Sequence, residues 1–407
     1  MNNLLIAQSG GPTAAINATV AGIVTTAYAS NKVDEVFGAI NGIQGVLDEK
    51  FINLREKIKS SEDLSILCQT PSAALGSCRL KLKDLEKNKE EFEKIVEVLR
   101  KNEIKYFIYI GGNDSMDTVH KLSQYCKEHD IDDITIVGAP KTIDNDLVGT
   151  DHCPGFGSAA KYIATTFAEL ERDCSVYPIK VVTIVEVMGR NAGWLTASSV
   201  LSKTLGGNGP DLIYLCEKDF DNEKFLSDVR NVLENKNSAL IAISEGIKDK
   251  NGVYVSEQVQ SGEVDSFGHA QISGACDVLE NLVRNEMGCK VRSIELSLLQ
   301  RCAAHIQSKT DIDESRLLGM KACQCVIEKE NGIMSCIVRK NNDPYEAEVS
   351  AIPVNEVSNK EKKVPSSFIN DEGNGVTEEM VKYLFPLIQG ESQIIYEKGL
   401  PKHIRLF

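Results

Sequence analysis

No apolar run reaches the roughly 18 residues that a membrane-spanning helix requires, so none is expected in this 407-residue chain. The segment Met1 to Gln8 enters an apolar run with neither a basic n-region nor a small-residue cleavage site, and a secretory signal is not expected either. Positive charge is in deficit: Lys and Arg number 45 against 59 Asp and Glu, for a net charge of −14. Nucleic acid demands a basic face and is excluded as a partner. A small anionic substrate is not, because a few cations focused in one cleft can hold phosphate against an acidic whole. The 12 cysteines lack metal-ligand spacing, since Cys323 and Cys325 form a lone C-x-C in a run that reads as helix interior. Cys68, Cys216 and Cys336 lie in apolar stretches and read as free thiols of a reducing cytoplasm. Internal repeats, heptads and low-complexity tracts are missing too. What is left, at 42% hydrophobic and 26% charged residues, is a globular chain long enough for two domains.

Short apolar β-rich runs recur, most of them followed by a glycine or polar turn and an amphipathic helix. Leu4–Ala7 leads into Ser9-Gly10-Gly11 and a helix from about Thr13, and Tyr106–Ile110 leads into Gly111-Gly112. Ile134–Val137, Val181–Val187 and Leu240–Ile243 behave alike. Continuous apolar strands alternating with helices predict a parallel sheet covered on both faces. Ligands of such sheets bind beyond the carboxyl ends of the strands, where every polar motif below falls. Lys81–Lys101 reads as a solvated helix face, and Asn355–Asn374 as an exposed loop before a final helix near Thr377–Phe385 that Pro386 stops.

The segment most suited to chemistry is Pro140-Lys141-Thr142-Ile143-Asp144-Asn145-Asp146. Removing a proton from a sugar hydroxyl needs a carboxylate base beside cationic charge, and this turn carries both. Gly111-Gly112-Asn113-Asp114-Ser115 and Ser9-Gly10-Gly11-Pro12 are loops whose backbone can approach a phosphate, with Ser115 expected to open a helix. Neither fits the Walker or dinucleotide pattern. Arg79, Arg190, Arg292 and Arg301 stand at turns or beside apolar runs, where a guanidinium fork suits phosphate, and Glu245 adds a carboxylate. His269 and His305 read as core or capping histidines.

Taken together, Ser9-Gly10-Gly11, Leu75-Gly76-Ser77-Cys78-Arg79, Gly111–Ser115, Pro140–Asp146, Val187-Met188-Gly189-Arg190 and Ser244-Glu245-Gly246 resemble the phosphofructokinase family in order and spacing. The resemblance runs to about Asp313 and is looser beyond it. It implies an α/β fold of two doubly wound, Rossmann-like domains with the active site in the cleft between them. The donor domain would comprise residues 1–155 plus about 304–358, and the sugar-phosphate domain residues 156–303 plus about 359–407. Asp144 resembles the base for the O1 hydroxyl of fructose 6-phosphate, with Lys141, Thr142 and Asp146 around it. Gly10, Gly11, Arg79, Gly112, Asn113, Asp114 and Ser115 look like the donor site. Met188, Gly189, Arg190, Glu245, Arg292, Arg301 and Lys309 look like the sugar-phosphate site. Magnesium is implied as cofactor, with Asp114 and Asp146 as its ligands. A cytoplasmic homodimer or homotetramer is the implied form.

The chain departs from the family's ATP-using branch, which resembles Gly-Gly-Asp-Gly-Ser where Asn113 and Asp114 stand, and has glycine in place of Lys141. Asp114 would obstruct the α-phosphate of a nucleotide, and Lys141 would serve a shorter donor or pair with Asp114. Both changes resemble the pyrophosphate-dependent branch, whose reaction is reversible and serves glycolysis or gluconeogenesis. Asn113 puts one magnesium ligand of the relatives in doubt. Val181 and Leu298 stand where a family arginine and histidine are usual, leaving Lys180 and Lys309 as substitutes. The alternatives are an ATP-dependent 6-phosphofructokinase, sedoheptulose 7-phosphate as acceptor, and a catalytically silent regulatory subunit. The last is opposed by the presence of Asp144.

Overall fold

The computed structural model describes residues 1–85, 88–258 and 274–407. His269 lies outside the described residues. The strands are β1 (Asn3–Gln8), β2 (Val36–Ala39), β3 (Phe51–Asn53), β4 (Ile104–Gly111) and β5 (Thr135–Pro140). β6 (Val181–Val187), β7 (Leu212–Tyr214), β8 (Ser238–Ser244) and β9 (Lys290–Glu295) come next. β10 (Ile333–Asn342), β11 (Tyr345–Pro353) and a small ribbon of β12 (Tyr396–Glu397) and β13 (Leu400–Pro401) complete the set. Each expected strand forms, with its ends within three residues of the expected ones.

Two α/β sheets result, in the orders β11-β10-β5-β4-β1-β2-β3 and β7-β8-β6-β9. The second is parallel throughout, as is the centre of the first. β3 and β11 run antiparallel at the two edges of the first sheet. The link between β10 and β11 is only Asp343-Pro344, and a connection that short permits a hairpin but no crossover.

Alternation explains the double covering. Leu4 and Ile6 of β1 enter one apolar cluster while Leu5 and Ala7 enter the other. On β6, Val182 and Ile184 face one layer and Val185 and Val187 the opposite one. A strand buried on both faces has no polar side, which is why these runs read as continuous rather than alternating hydrophobics.

Several local expectations need correction. The first helix is Ile16–Ala29 rather than starting at Thr13, whose hydroxyl accepts from the backbone N–H of Ala15 (3.2 Å) and Ile16 (2.9 Å) as a cap. Helix Asn113–Glu128 begins two residues before Ser115. Among the described residues of the charged stretch the α-helix is Lys89–Lys101, with Phe92, Ile95 and Leu99 buried beneath its charged face. The last α-helix is Glu378–Leu384, and Pro386 lies in the 3-10 turn that follows it. Cys323 and Cys325 are buried in helix Lys309–Ile327, and all twelve cysteines are free. His305 is exposed, so it is no core histidine. Among the described residues no helix is long and apolar enough to cross a membrane.

Candidate active site

The carboxyl ends of β1, β4, β5, β6 and β8 open into one cavity of about 890 Å3. Its lining includes Gly10, Gly11, Arg79, Gly112, Asn113, Asp114 and Ser115 from one side, and Met188, Arg190 and Glu245 from the other. Lys141, Thr142, Asp144 and Asp146 lie between, with Arg301 also on the wall.

The first glycine loop holds a left-handed backbone at Gly10, with φ +76°. A Cβ there would stand 3.2 Å from Lys141 Nζ. The Leu75–Arg79 turn is tied to the same loop, because Ser77 Oγ donates to the Gly10 carbonyl at 2.6 Å. Gly10 N in turn donates to the Cys78 carbonyl at 3.2 Å. Arg79 is thereby delivered to the rim of the loop. Gly112 caps helix Asn113–Glu128, whose first turn carries Asn113, Asp114 and Ser115 and whose positive end faces the cavity.

Lys141 is buried, and its ammonium donates to the Gly11 carbonyl at 2.7 Å. Burial pushes its pKa down to about 8, opposed by the nearby Asp144 and Asp146 carboxylates. Asp144 is pushed up to about 7, first by burial and then by the charges of Asp146 and Glu245. Burial also raises Asp146, against a hydrogen bond from Thr142 that holds it down. The Thr142 hydroxyl accepts from Asp144 N at 3.1 Å and so shapes the turn from within. An ammonium, a carboxyl poised near neutrality and a second carboxyl thus share one floor.

Across the cavity, Gly189 (φ +132°) lets its N–H donate to Glu245 Oε1 at 3.2 Å. A Cβ at Gly189 would fall 2.4 Å from the Ala192 carbonyl, so only glycine fits this turn. Arg301 has its pKa lowered by burial and by the neighbouring Arg79 guanidinium, which means cationic charge is concentrated there. Such a cluster suits a phosphate.

Three expected sugar-site residues are absent from the cavity wall: Gly189, whose N–H braces Glu245 from behind it, Arg292 and Lys309. Arg292 is half-buried and lies 3.7 Å from Asp173. Lys309 is exposed at the start of its helix and pairs with Asp313. Lys180 does not line the cavity either. Asp114 does not pair with Lys141. Its partner is Lys81, at 2.8 Å.

Lys81 was therefore misread as part of a solvated helix. It follows Arg79 by two residues in a segment that is neither helix nor strand, and both side chains reach the cavity wall. Asn359 and Glu361, also on the wall, come from the stretch read as an exposed loop, and nothing local distinguishes them. Asn191 and Tyr254 were likewise not anticipated.

A family model described as phosphofructokinase matches residues 3–325. A protein of Xanthomonas campestris pv. campestris named pyrophosphate–fructose 6-phosphate 1-phosphotransferase is 42% identical over 99% of this chain and 96% of its own length. A Halomonas elongata protein of the same name is 38% identical over 100% of this chain and 96% of its own. The crystal structure of a pyrophosphate-dependent phosphofructokinase from Nitrosospira multiformis superposes with a TM-score of 0.90. It is 36% identical, over 99% of this chain and 96% of that one. With the same motifs converging on one cavity, the chain belongs to the phosphofructokinase family.

Proposed function

We propose that this chain transfers a phosphoryl group from pyrophosphate to the O1 hydroxyl of fructose 6-phosphate, reversibly. The observation that carries this is the floor of Lys141, Asp144 and Asp146 facing a donor wall in which Asp114 is paired with Lys81. The near-full-length likeness to the Xanthomonas and Halomonas enzymes supports it.

In the forward direction the O1 oxygen attacks the terminal phosphorus of pyrophosphate while Asp144 takes the O1 proton. The bond from that phosphorus to the bridging oxygen breaks, and inorganic phosphate leaves with the electron pair. With a pKa near 7, Asp144 can accept the proton forward and return it in reverse. The Lys141 ammonium and the Arg79 and Arg301 guanidiniums meet the charge on the transferring group. Met188, Arg190 and Glu245 line the sugar end. The Asp114 side chain, held by Lys81 on the donor wall, would take up space that a nucleotide's α-phosphate needs.

The donor set fits magnesium. Burial raises both carboxyls, helped by Asp146 at Asp144 and by Glu361 at Asp146, and a divalent cation would relieve both. Among the described residues no group of three ligands occurs in this cavity, and Mg2+ is a cation that takes one or two carboxylates and completes its shell with phosphate and water. Asp146 would hold it with Asp144 beside it, whereas Asp114 is already neutralised by Lys81. When bound, the ion would neutralise phosphate oxygens.

We assign the donor side to residues 1–155 plus about 304–358, and the sugar side to 156–303 plus about 359–394. The tail expected on the sugar side up to residue 407 instead packs on the donor side, where Gln69 bonds the Ile395 and Lys402 carbonyls and Leu406 joins the core around β1. Assembly as a homodimer or homotetramer is supported by Leu298 and Leu299, exposed apolar surface that a second copy would cover. Free cysteines suit a reducing cytoplasm. The test is a coupled assay with fructose 6-phosphate and Mg2+, run with pyrophosphate and with ATP in parallel. Pyrophosphate should support turnover, and fructose 1,6-bisphosphate with phosphate should regenerate it. Turnover with ATP alone overturns the donor assignment.

A further inference from the structure

Residues 359–362 lie beyond the span matched by the family model, which ends at residue 325, yet they reach three walls of the cavity. The first contact is with the donor loop. Asn359 N donates to Asn113 Oδ1 at 2.7 Å, and Asn113 Nδ2 donates to the Lys360 carbonyl at 2.8 Å. An ionised carboxylate only accepts, so an aspartate at position 113 could keep the first bond but not the second. Asn359 Nδ2 adds a bond to Asp117 Oδ1 at 2.8 Å.

The second contact is with the catalytic turn. Glu361 bridges to Leu147, and Lys362 N donates to the Asp146 carbonyl at 2.7 Å. Lys362 Nζ reaches the carbonyls of Asp151 (2.7 Å) and Thr150 (3.2 Å) and Asn145 Oδ1 (3.3 Å). Asn145 stands between the two carboxylates of the turn in a left-handed conformation, φ +55°. Its amide is gripped at both ends, by Cys153 N (3.0 Å) and by the Tyr383 hydroxyl (3.0 Å). Asparagine tolerates this backbone, and the bonds to its amide fix it there.

The third contact is with the sugar side. Trp194 Nε1 donates to the Lys362 carbonyl at 3.0 Å, and Asn191 Nδ2 donates to Glu361 Oε1 at 3.0 Å.

We propose that Asn359–Lys362 is a strap that positions the phosphoryl-transfer site, locking the donor loop through Asn113 and the catalytic turn through Lys362. Asn113 and Lys362 are then positioning residues that act through one element. Asn113, which departs from the family's usual acid, is the residue type that the strap requires. The proposal rests on the phosphotransferase function above. Its consequence is that cutting the strap at either end frees the same motion, so the two cuts do not add.

The test measures kcat, both KM values and the thermal midpoint of the full chain with Mg2+, for Lys362→Met, Lys362→Arg, Asn113→Asp and the double variant Asn113→Asp/Lys362→Met. Displacing reacting groups by about 1 Å costs about 100-fold. Lys362→Met should therefore lower kcat by about 10- to 100-fold and change each KM by less than about 3-fold. Lys362→Arg should recover part of that loss, and Asn113→Asp alone should lower kcat about 10-fold. The double variant should fall within about 3-fold of Lys362→Met. If Lys362→Met does not fold, Trp194→Phe removes a single bond to the strap and takes its place in the cycle. Losses that multiply, a loss confined to the KM for pyrophosphate, or an unchanged kcat would each overturn the strap. Wild-type protein inactive with pyrophosphate would instead remove the underlying function.

Discussion

Lys141, Asp144 and Asp146 share one stretch after β5 with Asp151 and His152, and the two sets of charge are treated in opposite ways. In the second set every charge is matched. His152 lies between Asp151 (2.8 Å) and Glu314 (2.6 Å), and Arg339 Nε donates to Asp151 at 3.0 Å. The Arg339 guanidinium lies over the rings of Tyr383 (4.4 Å) and Tyr345 (5.1 Å). Although burial opposes each charge, these partners bring Asp151 down to about 2 and His152 up to about 9, so both stay ionised. In the first set the same burial wins, and Asp144 rises to about 7 while Lys141 falls to about 8. Paired charge holds the loop. Charge left short of partners stays ready to exchange a proton or meet a phosphate.

The comparison breaks most visibly when one member of each set is removed. Asp144→Ala should lower kcat by about 10²–10⁴, the usual contribution of a general base, with little change in either KM. Its thermal midpoint should hold or rise, because a destabilised carboxyl has gone. Turnover near wild type would take Asp144 out of the mechanism. Glu314→Gln should do the reverse, since it leaves His152 with a broken buried pair. The cost in stability should be about 3–5 kcal/mol by urea unfolding, with kcat at saturation within about 3-fold. A lost kcat with intact stability would show that the two sets are not separate.

The strands and the catalytic turn were legible in the sequence for a physical reason. A strand covered on both faces is a continuous apolar run, and Lys141–Asp146 follows such a run directly. Long-range partners were not legible. Lys362 reaches the catalytic turn from more than two hundred residues away, through a segment whose polar composition is that of any exposed loop. Lys81 was hidden by the helical look of its surroundings, although the helix starts only at Lys89. Arg292 and Lys309 show the converse error. Their positions near apolar runs suggested clamps, but β9 and helix Lys309–Ile327 place them off the cavity wall, beside Asp173 and Asp313.

A smaller effect concerns which donor the first set accepts. Asp114 pairs with Lys81 rather than Lys141, so the two donor-wall departures can be tested separately. Lys141→Met should lower kcat/KM for pyrophosphate by about 10- to 150-fold, the range for one lost charge-assisted contact. Asp114→Gly should leave more pyrophosphate activity than that and admit some turnover with ATP. Complete exclusion of ATP by Asp114→Gly would move the barrier to another part of the wall.

The smallest effect expected is on the pH dependence of stability, and here the two sets should pull in opposite senses. A carboxyl raised from 3.8 to about 7 binds its proton more tightly folded than unfolded. Asp144 therefore favours the folded state at low pH, and that advantage is lost as pH rises from about 4 to 7. Asp151, lowered from 3.8 to about 2, contributes stability above about pH 4 that is lost on acidification through pH 2. His152, raised from 6.5 to about 9, contributes stability in full below about pH 6.5 that is lost as pH rises through 9. Urea unfolding in metal-free buffer should thus show Asp144→Asn flattening the decline between pH 4 and 7. Glu314→Gln should flatten the decline between pH 6.5 and 9 and leave the lower window as in the wild type. If both substitutions altered the same window, the two sets would be one coupled network, and the division between holding charge and reacting charge would fail.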